Sequence, residues 1–216
     1  MRKNIIYALI LLLLPLNIIS AQKSPDAEQI LTNLLNTAKS GAIRTNFKLA
    51  TNDPKNPQFA TGIFTLKGAR FTLEMDGMRV WFDGRTQWAY NEQNNEVSVT
   101  NPTEKELSET NPMAILSGFK SKCTINFSTK VKSSQNYCIE MIPKVKSKDI
   151  VKIEVQLNKT NENLVSIKLT DKNGISTILT LNNFQKGIKV LDNIFVFNET
   201  KFKGVTVNDL RYLPFR

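Results

Sequence analysis

Arg79-Val80-Trp81-Phe82-Asp83-Gly84-Arg85-Thr86-Gln87-Trp88-Ala89-Tyr90 is two short strands joined by a tight turn. Aromatic and β-branched residues fill both arms. Asp-Gly between such arms is a strong hairpin signal, because the turn residues need positive φ. The same pattern extends in both directions. Upstream, period-two stretches occur at Ile43–Leu49, Thr61–Lys67 and Arg70–Met75, with Asp76-Gly77 as a second turn. Asn52–Pro57 is a loop by its Asn, Asp and Pro content. Downstream, strands are expected at Glu96–Thr100, Cys123–Thr129, Tyr137–Ile142, Ile150–Leu157, Leu164–Leu169, Ile175–Leu181 and Ile194–Phe197. About eleven strands with short turns predict one curled antiparallel sheet, an incomplete barrel of a mainly β protein.

Two segments break the period of two. Ser24-Pro25-Asp26 offers a hydroxyl cap, a first-turn proline and an acid. Ile30, Leu31, Leu34, Leu35 and Ala38 then recur at helical spacing up to Lys39-Ser40-Gly41. This is an amphipathic N-terminal helix that must lay one stripe on the sheet. The second break is Asn101–Phe119, where Thr103–Leu107 and Asn111–Ser117 carry caps and helical rhythm. A piece as short as Asn111–Ser117 is not stable alone, so it must be inserted into an apolar space.

The chain begins with Arg2 and Lys3, an apolar run from Ile5 to Ile19, and the small-residue exit Ser20-Ala21. That run is short of the roughly 20 residues of a spanning helix and has the anatomy of a secretory signal peptide. Residues 1–21 are therefore expected to be cleaved after Ala21, leaving residues 22–216 as a single exported domain. Gln22 follows the cut, where a bacterial lipoprotein would carry an acylated cysteine. The net charge of +10 becomes +8 without Arg2 and Lys3, since residues 1–21 hold no acid. Lysines spread along strands suit solvated faces or steering toward acidic partners and anionic membrane. Nucleic acid is not expected as a partner, because no dense basic cluster occurs.

Histidine is absent, which removes the Ser-His-Asp constellation and the common zinc sites. Asp83 lies among aromatics, but the glycine after it assigns it to a turn. No catalytic residue, cofactor or metal is expected. Cys123 and Cys138 flank a hairpin in a chain bound for an oxidising compartment, which predicts a disulfide between them. The apolar residues carry more information. Trp81, Trp88 and Tyr90 fall on one strand face if the turn is Asp83-Gly84. Phe64, Leu66, Phe71, Leu73 and Met75 come from the preceding hairpin, and Met113, Ile115 and Leu116 from the helical insert. Core and apolar cavity share this composition. A curled sheet covered by one long helix and one short insert leaves room for a cavity between the layers.

In order along the chain these features resemble the periplasmic outer-membrane lipoprotein carrier (LolA) family. The amphipathic helix precedes the strand Gly62-Ile63-Phe64-Thr65-Leu66-Lys67, then Phe82–Tyr90 gives the Asp-Gly hairpin with its Trp and Tyr. Thr110–Leu116 stands where the family has its lid helix, and Phe195-Val196-Phe197 with Gly204–Arg211 resembles its closing strand and tail. The resemblance implies an eleven-stranded half-barrel whose cavity takes the acyl chains of lipoproteins. It further implies loading by an inner-membrane lipoprotein-releasing transporter, unloading to an outer-membrane acceptor, and a monomer in the periplasm. The other readings are a carrier or sensor of another amphiphile, such as a glycolipid or free lipid. The family's Arg-Pro pair is replaced by Lys67-Gly68-Ala69-Arg70, which leaves Arg70 as the substitute expected to control the lid.

Overall fold

The computed structural model describes residues 26–104, 106–107, 111–145 and 150–211. The expected signal peptide and its cleavage site lie outside the described residues. Helix α1 spans Ala27–Ser40. Its cap is Asp26, whose carboxylate accepts from the Gln29 N–H at 2.7 Å, so the cap sits two residues beyond the expected Ser24. An aspartate there also meets the positive end of the helix dipole. Ala27, Ile30, Leu31, Leu34, Leu35 and Ala38 form the buried stripe.

The strands are β1 (Ala42–Thr51), β2 (Phe59–Lys67), β3 (Arg70–Met75), β4 (Met78–Phe82), β5 (Gln87–Asn91) and β6 (Glu96–Thr100). After the insert and helix α2 (Pro112–Lys120) come β7 (Cys123–Phe127), β8 (Asn136–Pro143), β9 (Ile150–Asn158), β10 (Leu164–Asp171), β11 (Ser176–Ile188) and β12 (Thr206–Asp209). They form one twelve-stranded sheet in the order β12-β6-β5-β4-β3-β2-β1-β11-β10-β9-β8-β7, with β12 and β7 as separate edges, so the barrel is not closed. The chain starts at the centre of the sheet and works outward to β6. It crosses through α2 to the far edge and returns to the centre at β11, which pairs with β1. Every pairing is antiparallel except β12 with β6.

The stretch Ile194–Phe197, expected as a strand, is instead entered by a 3₁₀ turn at Asp192–Phe195, and Thr206–Asp209 supplies the last strand. The reason is topological. Strand β11 ends beside β1, whose two sides are already taken by β2 and β11. The chain therefore leaves the sheet and crosses its convex face as a strap to reach β6. Phe195 is fully buried there. Phe197 and Phe202 stack 5.0 Å apart and cover Trp81 at 5.3 and 5.7 Å. A small second core thus lies outside the sheet, completed by Tyr90, Val97 and Val99.

The main core lies on the concave face, under α1 and α2. Two glycines report how tightly its parts fit. A Cβ on Gly62 would collide with the Glu74 carbonyl and come 2.8 Å from the Phe47 ring, whereas one on Gly118 in α2 meets nothing within 4 Å. Gly62→Ala should therefore destabilise by about 3 kcal/mol. Gly118→Ala should stabilise by about 0.8 kcal/mol through helix propensity. Urea unfolding of the two variants checks this pair, and equal midpoints would contradict the packing described.

Candidate functional site

Alternation fixes which residues look into the concavity. The register pairs Phe64 with Leu73 and Leu66 with Phe71. It pairs Leu73 with Val80 and Phe71 with Phe82. Ile43, Thr45, Phe47 and Leu49 continue the same face on β1, and Ile153, Val155 and Leu157 on β9. Thr45 is the polar exception at 2% exposure, and its hydroxyl donates to the Asn182 carbonyl at 2.9 Å, beside an irregularity in β11.

Helix α1 covers one part of this surface and α2 another. The Asn111 side chain starts α2 by accepting from the N–H groups of Met113 at 2.9 Å and Ala114 at 3.3 Å. Pro112 follows at the position where its missing N–H costs nothing. The insert before it opens with a capping box, in which Glu106 accepts from the Thr103 N–H at 2.7 Å. Met113 and Leu116 drive α2 into the core. Two of its other apolar residues, Pro112 and Ile115, face a gap that neither helix fills.

That gap is a pocket of about 310 Å³. Its walls are Phe47 and Leu49 on β1, Phe64 on β2, Leu73 and Met75 on β3, Ile167 and Leu169 on β10, and Thr177, Leu179 and Leu181 on β11. Among the described residues that line it, Thr177 alone has a polar side chain. The volume is at the lower end of the roughly 300–1,000 Å³ of small-ligand sites. An apolar, undercut space with almost no hydrogen-bonding capacity suits hydrocarbon.

Four of the expected cavity residues, Phe64, Leu73, Met75 and Ile115, line the pocket. Leu66, Phe71, Met113 and Leu116 are packed in the core beside it. Trp81, Trp88 and Tyr90 are not in the cavity. They share a face as expected, since Trp81 pairs with Trp88, but it is the convex face, because Val80 and Phe82 take the concave side. The walls on β1, β10 and β11 escape a reading of the sequence alone. Their alternation is visible, but the β1–β11 pairing that brings them opposite Phe64 and Leu73 joins residues far apart in sequence.

Two other clefts have different chemistry. A wider space of about 710 Å³ lies on the other side of α2, with Lys39, Arg85 and Glu104 among its walls. A third, on the convex face, holds Glu140, Glu154 and Lys168. There Lys152 bridges Glu140 at 3.4 Å and Glu154 at 2.9 Å, and Lys168 reaches Glu154 at 3.4 Å. A hydrogen bond from Ser128, then the Lys152 ammonium, hold Glu140 below its ordinary carboxylate value. It stays ionised, the reverse of what a general acid needs.

A sequence model of the family described as outer membrane lipoprotein carrier protein LolA matches residues 18–173. The chain belongs to the LolA family. No curated protein matches it by sequence. Among solved structures, an uncharacterised conserved protein from Thermus thermophilus superposes with a TM-score of 0.57 at 9% identity, covering 84% of this chain and 98% of that one. A LolA superfamily protein from Nitrosomonas europaea gives 0.45 at 12% identity, with coverage of 81% and 99%. The MucA/MucB complex structure from Pseudomonas aeruginosa gives 0.47 at 12% identity, with coverage of 80% and 61%. LolA membership places the chain in a binding and carrier family rather than an enzyme family and supports a periplasmic, lipid-binding role. Among the described residues no helix is long and apolar enough to cross a membrane.

Among the described residues of this LolA-family chain, Arg70 contacts the C-terminal strap rather than α2, the helix it is expected to control. It points to the convex face, where Nη1 meets Asp192 Oδ2 at 2.9 Å and the guanidinium covers the Phe195 ring at 5.6 Å. Lys67 Nζ contacts the same carboxylate at 2.6 Å. Arg70 therefore fastens the C-terminal strap and not α2. Hydrogen bonds from Lys67, then Arg70, hold Asp192 below its ordinary value. The folded pKa lies below the unfolded one, so this contribution is present above the ordinary Asp range and lost as pH falls through the folded value. In a Trp88→Phe background, Trp81 emission should shift to the red on acidification through that window. Asp192→Asn should show the shift already at neutral pH, and unchanged emission in both cases would contradict the clasp.

The cysteines are corrected as well. β7 and β8 do form a hairpin, but Cys123 pairs with Pro143. Cys138 lies an odd number of residues from Pro143, so the thiols project from opposite faces. Both are free and buried. Burial pushes both thiols up, opposed by Lys144 at Cys123 and Lys159 at Cys138. Iodoacetamide should spare both in the folded protein and label both in urea. A purified chain whose mass is short by two hydrogens would overturn this.

Proposed function

We propose that the chain is a periplasmic carrier that takes the acyl chains of lipoproteins into the pocket beneath α2 and shuttles them from the inner to the outer membrane. The observation that carries this reading is the pocket itself, an apolar space between the concave sheet and a short helix. Family membership supports it. An acyl chain in water costs roughly 0.8 kcal/mol per exposed methylene, so a carrier must supply a dry enclosure throughout transit. In this reading an inner-membrane transporter delivers the cargo and an outer-membrane acceptor receives it. In the same reading the mature chain, cleaved after Ala21, diffuses between them.

Helix α2 is suited to be the moving part. It has nine residues, too few to persist without packing; Met113 and Leu116 enter the core, with Phe119 packed against it and Pro112 buried at the pocket. Swinging it away would join the pocket to the wider cleft beyond, which makes room for cargo with more than one chain. The modest closed volume also suits a free lipid or glycolipid with a single inserted chain, and this is the competing reading.

Incubation of the purified mature chain with spheroplasts distinguishes them. Recovery of lipoprotein in the soluble fraction is the expected result; uptake of free lipid without lipoprotein would favour the alternative. Ile115→Asp places a carboxylate in the pocket and should reduce uptake at least about tenfold. Trp88→Phe, on the convex face, should leave uptake unchanged. The reverse ranking would remove the pocket from the mechanism.

A further inference from the structure

The corner where α2 ends, β7 begins and β8 ends gathers charge and exposed apolar surface. The Lys144 N–H donates to the Lys122 carbonyl at 2.9 Å, and its ammonium to the Ser121 carbonyl at 3.2 Å. The Lys122 N–H donates to the Phe119 carbonyl at 3.1 Å. These bonds hold Lys120, Lys122 and Lys144 in one small region. Glu28 contributes a carboxylate, 3.5 Å from Lys120. Beside them stands Val145, 81% exposed, more than any other exposed large hydrophobic among the described residues. Ile142, near the end of β8, is 43% exposed, and Val151, near the start of β9, is 40% exposed.

An apolar side chain projecting from among ammonium groups is costly in water and finds no use on a solvated polar surface. It fits the interface of an anionic bilayer, where lysines meet lipid phosphates and the valine enters the headgroup–acyl boundary. A protein groove is a poorer match, because the feature projects and its charge has one dominant sign.

Its position gives it a role. Antiparallel pairing puts the last residues of β8, the first of β9, the last of β10 and the first of β11 at one end of the sheet. The pocket walls Leu169 and Thr177 lie at that end, as do Leu49 and Met75, toward the ends of β1 and β3. We propose that the corner formed by Lys120, Lys122, Lys144 and Val145 docks the protein on an anionic lipid bilayer, presenting the pocket end of the sheet to the membrane. Docking is read without cargo, so its failure and failure of the carrier reading are separate results.

The test is sedimentation of the cargo-free mature chain with vesicles, either neutral phosphatidylcholine or the same lipid with about a third phosphatidylglycerol. Binding should favour the anionic vesicles and be lost at about 0.5 M salt. Each lysine near the surface multiplies binding about fivefold, so the triple variant Lys120→Gln/Lys122→Gln/Lys144→Gln should bind on the order of a hundredfold more weakly. Val145→Asp should also weaken binding, with thermal melting unchanged because the side chain is exposed. A control triple with the same charge change at the opposite end of the sheet, Lys159→Gln/Lys186→Gln/Lys189→Gln, should stay within a few fold of the parent. No binding, equal binding to both vesicle types, or equal losses in the two triples would overturn the proposal.

Discussion

An open sheet with an apolar concave face has to be covered, and this chain has little to cover it with. Twelve strands curl without closing, so strand pairing cannot bury the interior as it would in a complete small barrel. The fourteen residues of α1 and the nine of α2 supply the cover. Helix α1 lays six buried side chains on the sheet. Helix α2 contributes Met113 and Leu116, then turns Pro112 and Ile115 toward space that neither helix fills. The pocket is the unfilled remainder of that coverage, which is why its walls come from β1, β2, β3, β10 and β11 together.

The convex face has the opposite character. From β3 to β6 it is sealed by the C-terminal strap, through Phe195, Phe197 and Phe202 and the clasp of Lys67 and Arg70 on Asp192. The aromatic set Trp81, Trp88 and Tyr90 therefore belongs to a structural layer. One side of the sheet is sealed by the strap, and the other by α1 together with the shorter α2, which has fewer buried side chains. The more shallowly packed of the two helical covers lies over the pocket, and local stability tracks buried apolar contact.

Much of this is legible in local patterns. The stripe of α1, the Asp83-Gly84 hairpin and the Asn111 cap each declare themselves within a few residues, because cap, turn and period are short-range properties. The faces of β4 are not legible. In Val80-Trp81-Phe82 every residue is apolar, so alternation cannot say which side is the concavity when both are covered. The side taken by Cys138 is hidden for a related reason: a hairpin can be inferred from sequence, but a one-residue change in register moves a side chain to the other face. The pairing of β1 with β11 and the strap after Ile188 depend on contacts between distant parts of the chain. They complete the pocket on one face and displace the tryptophans to the other.

A carrier of this design takes hydrocarbon in beneath α2. Photocrosslinking with an acyl chain carrying a diazirine near its end, followed by mass mapping of the adducts, tests it directly. Adducts should fall on Leu49, Met75, Ile115, Leu169 and Leu179. Adducts confined to the convex aromatic layer around Trp81 and Phe202, or to the cleft lined by Lys39 and Arg85, would contradict it.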